Sequence, residues 1–295
     1  MEEISTAPPC PAPPAIQPPP RITVPQGAVD THSHVIGAPP AYPFVAARSY
    51  TPPPASADDY IAMLDATRMT YGVLTQVSVH GTDNRLLEDA LRRHPTRLRG
   101  IGVLALDASD RERAALKEAG VVGLRLNVLY GGGIGLGEVE GYGDMCKEMG
   151  WHLQFLVDAA DLPAVARRLG RLPVPFLIDH MGHFPTTRGV GSEGFQTLLS
   201  LVRDGAWARL SGAYRTSVQG PPYDDTVPFA RALAAAAPER CVWGSDWPHV
   251  ANWGVMMTVA DLLDLLARWV PDEMLRNRIL TENPQRLFGF GAVGA

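Results

Sequence analysis

The sequence predicts a single (β/α)₈ barrel, or TIM barrel, of the α/β class. Three observations support this: eight short apolar, β-branched runs, helical stretches that alternate with them, and a length of 295 residues of which 46% are hydrophobic. Such alternation indicates parallel strands joined by helical crossovers. Nearly continuous apolar strands fit a sheet that is buried on both faces, and a barrel commonly takes about 250 residues as one unit. An open doubly wound sheet is the competing architecture.

The elements follow one another in strict alternation along the chain. Strands are predicted over 28–35, 71–79, 98–105, 121–128, 152–159, 175–182, 208–215 and 241–249. Helices are predicted near 57–69, 83–94, 109–119, 142–149, 161–171, 192–204, 225–237 and 255–268, with two more near 272–281 and 284–288. Ser56 precedes Asp58 and Asp59 and is therefore the expected N-cap of the first helix.

The first 25 residues differ in composition from the rest of the chain. Proline occurs there at positions 8, 9, 11, 13, 14, 18, 19, 20 and 25. Proline removes backbone donors and favours extended polyproline geometry. We therefore predict a disordered, Pro-rich flexible tail over 1–25, followed by one barrel domain over 26–295.

Charge and hydropathy argue against several classes of protein. The net charge is −5 and Lys and Arg form no run, so we expect no nucleic-acid partner. No run of 18 apolar residues occurs and the Met-Glu-Glu start does not resemble a secretory signal, so we expect a cytoplasmic protein without a membrane partner. Cys10, Cys146 and Cys241 are too few and too dispersed for a disulfide framework or a thiolate metal site.

Ionisable side chains stand at the ends of three predicted strands, where a barrel of this kind carries its active site. The first strand ends in Asp-Thr-His32-Ser-His34, the sixth reaches His180, and the eighth reaches Asp246. Residues i and i+2 of a strand point to the same face, so His32 and His34 both face the barrel mouth. Imidazoles with a carboxylate suit one divalent ion such as Zn²⁺, with a position left open for water. These four residues are the predicted catalytic and metal-ligating groups.

The same residues are similar to a known family. Asp30-x-His32-x-His34, together with His180 and the Gly-Ser-Asp246-Trp-Pro-His segment, resembles the amidohydrolase superfamily in its amidohydrolase-2 branch. The Tyr-Thr-Pro-Pro-Pro stretch at 50–54 and the segment 76–84 resemble the group of 2-pyrone-4,6-dicarboxylate lactonases and their relatives. The resemblance runs from about residue 28 to 288. It implies a (β/α)₈ barrel, a general base at Asp246, and hydrolysis of a small cyclic ester.

The fifth predicted strand departs from the superfamily pattern. Many members carry a carboxylated Lys, a Glu or a His that faces inward there, whereas this chain has His152 and Gln154. If Gln154 faces the site, no strong ligand comes from this strand; if His152 faces it, a fourth imidazole is available. Some lactonases of the group work without a metal. The histidines at the other strand ends therefore either hold a metal or donate hydrogen bonds directly to the substrate carbonyl.

Basic and polar residues near the strand ends are the predicted substrate-binding groups. Arg125 matches an arginine that holds a carboxylate in the lactonase group, but Gly131 stands where a second arginine would follow. Arg215, at the end of the seventh predicted strand, is expected to supply another guanidinium. Because guanidinium groups bind carboxylates bidentately, an anionic lactone is expected. Further candidates for substrate binding are Ser78, His80 and Tyr142.

Two other functions compete with a lactone hydrolase. The first is a metal-dependent decarboxylase of an aromatic or muconate-type acid, a function that the same branch also contains. The second is a catalytically silent barrel that binds a small molecule. The four ionisable groups at the predicted rim argue against a silent site.

Overall fold

A computed structural model describes residues 7–14 and 20–291 as eight parallel strands, each paired with the next, with helices between them. The strands are β1 Val29–Ser33, β2 Tyr71–Thr75, β3 Leu98–Gly102, β4 Val121–Asn127, β5 His152–Leu156, β6 Phe176–Ile178, β7 Trp207–Leu210 and β8 Cys241–Trp243. Residues just after β8 continue the barrel towards β1, since the His34 N–H donates to the Trp247 carbonyl at 2.8 Å. The predicted (β/α)₈ barrel is confirmed.

Helices lie between the strands and also follow β8. They are α1 Ala57–Ala66, α2 Arg85–Arg93, α3 Asp110–Ala119, α4 Val139–Met149, α5 Leu162–Leu169, α6 Glu193–Arg203, α7 Ala213–Thr216, α8 Val227–Ala236, α9 Val259–Trp269, α10 Glu273–Leu280 and α11 Glu282–Phe288. Ser56 is the N-cap of α1, and its side chain accepts a hydrogen bond from the Asp59 backbone N–H. Within the described ranges, none of these helices is both long and apolar enough to cross a membrane.

The strands are shorter at their carboxyl ends than the sequence predicted. β6 ends at Ile178, before His180, and β8 ends at Trp243, before Asp246. His180 and Asp246 have φ angles of 51° and 62°, in the left-handed region that an L-residue adopts only in turns. The site residues predicted at strand ends therefore occupy the tight turns that follow the strands.

The barrel interior is layered. Towards the amino ends of the strands it is apolar, with one cluster around Val29, Val73 and Ile101 and another formed by Leu177, Trp207 and Val242. The next layer is polar and fully buried, and its members are Gln154, Asp179 and Arg209. The histidines lie above this layer, so the site rests on a floor of buried polar side chains whose partners are fixed.

The predicted Pro-rich tail over 1–25 is described only in part, because residues 1–6 and 15–19 lie outside the described residues. The Cys10 N–H donates to the Thr51 carbonyl and the Thr51 N–H donates to the Pro8 carbonyl, both at 2.8 Å. Arg21 forms an ion pair with Asp264 at 2.9 Å. These parts of the segment therefore contact the rest of the protein. The division of the chain into a tail and a barrel domain stays a prediction.

Candidate active site

The structure brings the four predicted residues together at one end of the barrel. The ring of His32 lies 4.9 Å from the rings of both His34 and His180, centroid to centroid. Asp246 Oδ1 is 3.6 Å from His32 Nε2 and 3.7 Å from His34 Nε2, and Asp246 Oδ2 is 3.7 Å from His180 Nε2. All four side chains are buried. One carboxylate thus has the Nε2 atoms of three imidazoles within 3.7 Å of its oxygens.

A β-bulge in β1 lies at the His32 and His34 pair and affects where their side chains point. Asp30 pairs with Gly72 and Ser33 pairs with Leu74, so two residues of β1 stand opposite one residue of β2. A bulge of this kind redirects side chains. Asp30 points to α1 and to the turn after β8, where it accepts hydrogen bonds from the Tyr60 hydroxyl at 3.1 Å and the Ser245 hydroxyl at 2.6 Å. Burial outweighs these bonds and raises the pKa of Asp30 to about 6. Asp30 therefore supports β1 rather than entering the site.

One carboxylate oxygen of Asp246 accepts hydrogen bonds and the other has no hydrogen-bond partner among the described residues. Its Oδ2 accepts from Tyr214 Oη at 2.7 Å and from Arg215 Nε at 2.6 Å, both on α7. Its Oδ1 has no hydrogen-bond partner among the described residues. Burial by itself raises the pKa of Asp246, but the positive charge of Arg215 outweighs it and holds the pKa well below its usual range. The site therefore presents an ionised carboxylate whose free oxygen can accept a proton.

Each of the three histidines has a partner at its Nδ1 atom, and these partners differ in whether they donate or accept a hydrogen bond. His34 Nδ1 lies 2.7 Å from the Thr75 carbonyl oxygen. His32 Nδ1 lies 2.8 Å from a guanidinium nitrogen of Arg209. His180 Nδ1 lies 2.8 Å from the Ser211 hydroxyl, which can donate or accept. Burial and then the charge of Arg209 lower the pKa of His32 well below its usual value, so this ring is neutral.

Two groups of side chains lie close enough to hold a metal ion. One is His32, His34 and Asp246; the other is His32, Asp179 and His180; in each group the ligand atoms lie within 4.8 Å of one another. A metal-bound histidine offers one bare nitrogen to the ion and donates from the other. In His32 the Arg209 contact makes Nδ1 the acceptor, so the ring proton of the neutral imidazole is on Nε2, the atom that faces the site.

The second metal group has a further obstacle. Asp179 is already ion-paired with Arg209 and, at 3.3 Å, with Arg125. The spacing of these side chains therefore suits a metal ion, but the hydrogen bonding around His32 and Asp179 does not.

The fifth strand supplies no ligand to the site. His152 begins β5 and lies against Phe288 at a ring distance of 5.1 Å, towards the amino ends of the strands. Gln154 Oε1 accepts from both terminal nitrogens of Arg209 at 3.2 Å. Burial lowers the pKa of His152 to about 3. Residues i and i+2 of a strand share a face, so the side chains of His152 and Gln154 both point into the barrel. The expectation that only one of them would face inward was wrong.

The two predicted arginines differ in how strongly the protein engages them. Arg125 on β4 is ion-paired with Asp179 through Nε, and it has no hydrogen bond to the part of the chain that is described. Arg215 is in α7 and not, as predicted, at the end of a strand. Besides its bond to the carboxylate of Asp246, it donates to the Tyr130 hydroxyl and the Val250 carbonyl. Arg125 therefore has the freer guanidinium edge for a substrate anion.

Among the other predicted substrate-binding residues, Ser78 is the one that lies beside side chains at the barrel mouth. Its hydroxyl is 3.1 Å from that of Tyr50, whose ring packs edge-on against Tyr130. The ring of His80 uses both nitrogens elsewhere, on the Gly37 N–H at 3.2 Å and the Pro43 carbonyl at 3.1 Å.

Tyr142 is likewise turned away from the site. It lies in α4, where it is buried and its hydroxyl donates to the Leu104 carbonyl at 3.0 Å. His80 thus holds the loop after β1 and Tyr142 packs α4 onto the barrel, so the structure does not bring either residue to the site. Their sequence positions beside strand ends did not indicate these partners.

Sequence reasoning missed several residues that shape the site. They are Asp179, Arg209, Tyr130 and Tyr214. A charged residue inside the apolar run of β7 was a usable signal for Arg209, and Asp179 directly precedes a predicted site residue. His249 is buried with neither ring nitrogen partnered among the described residues, and burial lowers its pKa to about 4. For the tyrosines the sequence carried no signal.

An eight-stranded barrel with a His-x-His pair on β1, a histidine after β6 and an ionised aspartate after β8 defines a hydrolase of the amidohydrolase type. The chain belongs to the amidohydrolase family, whose family model matches residues 29–290.

Characterised relatives cover nearly the whole chain. A 4-sulfomuconolactone hydrolase of Rhizobium radiobacter is 39% identical over 290 residues, 96% of each chain. A 2-pyrone-4,6-dicarboxylate hydrolase of Comamonas testosteroni is 34% identical over 284 residues, 91% of this chain and 92% of the relative. A crystal structure from Acinetobacter baumannii, named a probable 2-pyrone-4,6-dicarboxylic acid hydrolase and holding citric acid, superposes with a TM-score of 0.80. It is 27% identical and covers 90% of this chain and 100% of its own.

Proposed function

We propose that this protein hydrolyses a small anionic lactone with water activated by Asp246. The observation that carries the proposal is the free Oδ1 of an ionised, buried Asp246 beside three imidazoles. A carboxylate in that position can accept a proton from a water that attacks a carbonyl carbon. Two relatives named as hydrolases of cyclic esters support the same reaction, and both ester names include an acidic group.

The reaction can be followed atom by atom. The water oxygen bonds to the lactone carbonyl carbon while one water proton moves to Asp246 Oδ1. The carbonyl oxygen becomes an oxyanion, which imidazole N–H donors stabilise. When the ring C–O bond breaks, the proton on Asp246 passes to the leaving oxygen. The product is a hydroxy acid, which ionises and releases one proton to solvent.

Recognition of the substrate anion falls to Arg125. Arg215 already bonds the carboxylate of Asp246, whereas Arg125 is ion-paired with Asp179 and its Nε has no hydrogen-bond partner among the described residues. No second cation stands at position 131, because a Cβ added to Gly131 would lie 1.8 Å from the Ala47 carbonyl oxygen. We therefore expect one carboxylate or sulfonate to bind at Arg125, rather than a pair of carboxylates held by two free arginines.

Two further predictions from the sequence belong to this proposal. A single Zn²⁺ would need His32 to release Arg209 before its Nε2 could bind the ion, so we favour hydrolysis on hydrogen-bond donors alone. The cytoplasmic location stays a prediction.

The experiment presents the purified protein with anionic lactones, matched neutral lactones and aromatic or muconate-type acids, each with and without a chelator. We expect one proton released per anionic lactone opened, unchanged by the chelator. Arg125→Gln should raise KM for the anionic lactone and leave the neutral one unaffected. CO₂ release from an acid, without lactone turnover, would replace the proposal by the decarboxylase alternative.

A further inference from the structure

We propose that His32 and His34 play opposite roles, hydrogen-bond donor and hydrogen-bond acceptor, and that Arg209 is the positioning residue that sets this difference. The inference rests on the proposed lactone hydrolysis and deepens it. It assigns His32 Nε2–H to the carbonyl oxygen of the substrate and His34 Nε2 to the attacking water.

The first step is the environment of Arg209. This side chain is 0% exposed and lies inside the barrel on β7. One terminal nitrogen pairs with Asp179 and also contacts His32 Nδ1 at 2.8 Å, while Gln154 accepts from both terminal nitrogens. Its Nε donates to the Thr31 hydroxyl at 3.1 Å. These partners lie on β1, on β5 and directly after β6, so they hold the guanidinium within the floor of the site.

The second step is the polarity of each contact. A guanidinium has only N–H donors, so the nitrogen of His32 that faces Arg209 must be bare. The proton of the His32 ring is then on Nε2, which points to Asp246 at 3.6 Å. A backbone carbonyl only accepts, so His34 Nδ1, at 2.7 Å from the Thr75 oxygen, must carry a proton. The Nε2 of a neutral His34 ring is therefore bare.

The third step is what these two atoms offer to the reactants. His34 Nε2 and Asp246 Oδ1 lie 3.7 Å apart, and both are acceptors, so one water can donate to both. That arrangement leaves the oxygen lone pair of the water free to attack. His32 Nε2–H has no hydrogen-bond partner among the described residues, so it is a donor that can stabilise the developing oxyanion. The identical residues of the His-x-His pair thus differ because their partners on β7 and β2 differ.

The direct test is nitrogen NMR of the histidine rings in the full-length protein, labelled with ¹⁵N-histidine. In a neutral imidazole the protonated and bare nitrogens resonate in separate regions, so each ring reports its tautomer. His32→Asn and His34→Asn serve only to assign the signals. We expect the His32 proton on Nε2 and the His34 proton on Nδ1. The same tautomer in both rings, or a charged His34, would overturn the proposal.

A variant pair then tests the part played by Arg209. Arg209→Met removes the donor, and Arg276→Met is the matched control, since Arg276 is also buried but donates to the Val270 and Pro271 carbonyls away from the site. In Arg209→Met we expect the His32 proton to move at least partly to Nδ1. We also expect kcat to fall at least about tenfold, since a wrong tautomer costs about 10⁴-fold in a serine protease triad.

Each outcome of the variant test has one meaning. An unchanged His32 tautomer in a folded Arg209→Met protein would show that Arg209 does not set it. If Arg209→Met does not fold, the wild-type spectrum still decides the assignment of roles. Failure of the lactone assay is a separate result, because the tautomers are measured without a substrate.

Discussion

Replacing Asp246 with asparagine tests the centre of the mechanism, because the change keeps the shape and removes the base. Loss of a positioned general base lowers kcat by about 10²- to 10⁴-fold. The variant also takes the negative charge away from Arg215, whose side chain is 5% exposed. Arg215 keeps the Tyr130 hydroxyl and the Val250 carbonyl as acceptors, and the asparagine oxygen can still accept from its Nε.

We therefore expect Asp246→Asn to lower the free energy of unfolding by about 2 kcal/mol, below the roughly 3–5 kcal/mol that a buried charge without any partner costs. Activity is measured as proton release from the lactone, and stability by urea unfolding followed through tryptophan fluorescence. Asp264→Asn is the control: its partner Arg21 has an 84% exposed side chain, so it should change stability by less than about 1 kcal/mol and leave kcat unchanged. An Asp246→Asn protein within about tenfold of wild-type kcat would refute the assignment of Asp246 as base.

Two further predictions concern residues around the site. Tyr142→Phe should leave KM and kcat unchanged and lower the free energy of unfolding by about 1 kcal/mol, because only the bond to the Leu104 carbonyl is lost; a raised KM would restore Tyr142 as a substrate-binding residue. Burial lowers the pKa of His249 in the folded protein to about 4, below the pKa of a histidine in the unfolded chain. The contribution of the neutral His249 ring to the free energy of unfolding is therefore complete above about pH 6.5 and is lost as the pH falls from there through 4. Between pH 7 and pH 4 the wild type should therefore lose about 3 kcal/mol more of its unfolding free energy than His249→Gln. Urea titrations at both pH values measure this, and equal losses would contradict it.

The barrel was predictable because its signals are local. Each strand is a short apolar run and each helix has its own periodicity, so the order of the eight units can be read without knowing which residues touch. The exact strand ends were not predictable. After β6 and β8 the chain turns through the left-handed residues His180 and Asp246, and the identity of these non-glycine residues does not indicate that backbone conformation.

The candidate site was predictable only as far as its motif. His32, His34, His180 and Asp246 stand out because ionisable groups at the ends of buried strands are unusual. Their convergence follows from the barrel. The same reasoning misplaced His80 and Tyr142, whose polar atoms bond to the Gly37 N–H and to the Leu104 carbonyl, partners that no sequence pattern marks.

By itself, then, the sequence determined the barrel, the order of its elements and the four residues at the centre of the site. Only the tertiary structure decided what those residues can do. The chemistry of an imidazole depends on which nitrogen holds the proton, and that depends on an atom from another strand: the guanidinium of Arg209 on β7 for His32, and the Thr75 carbonyl of β2 for His34. Those contacts join positions far apart in the chain, so no local pattern could reveal them.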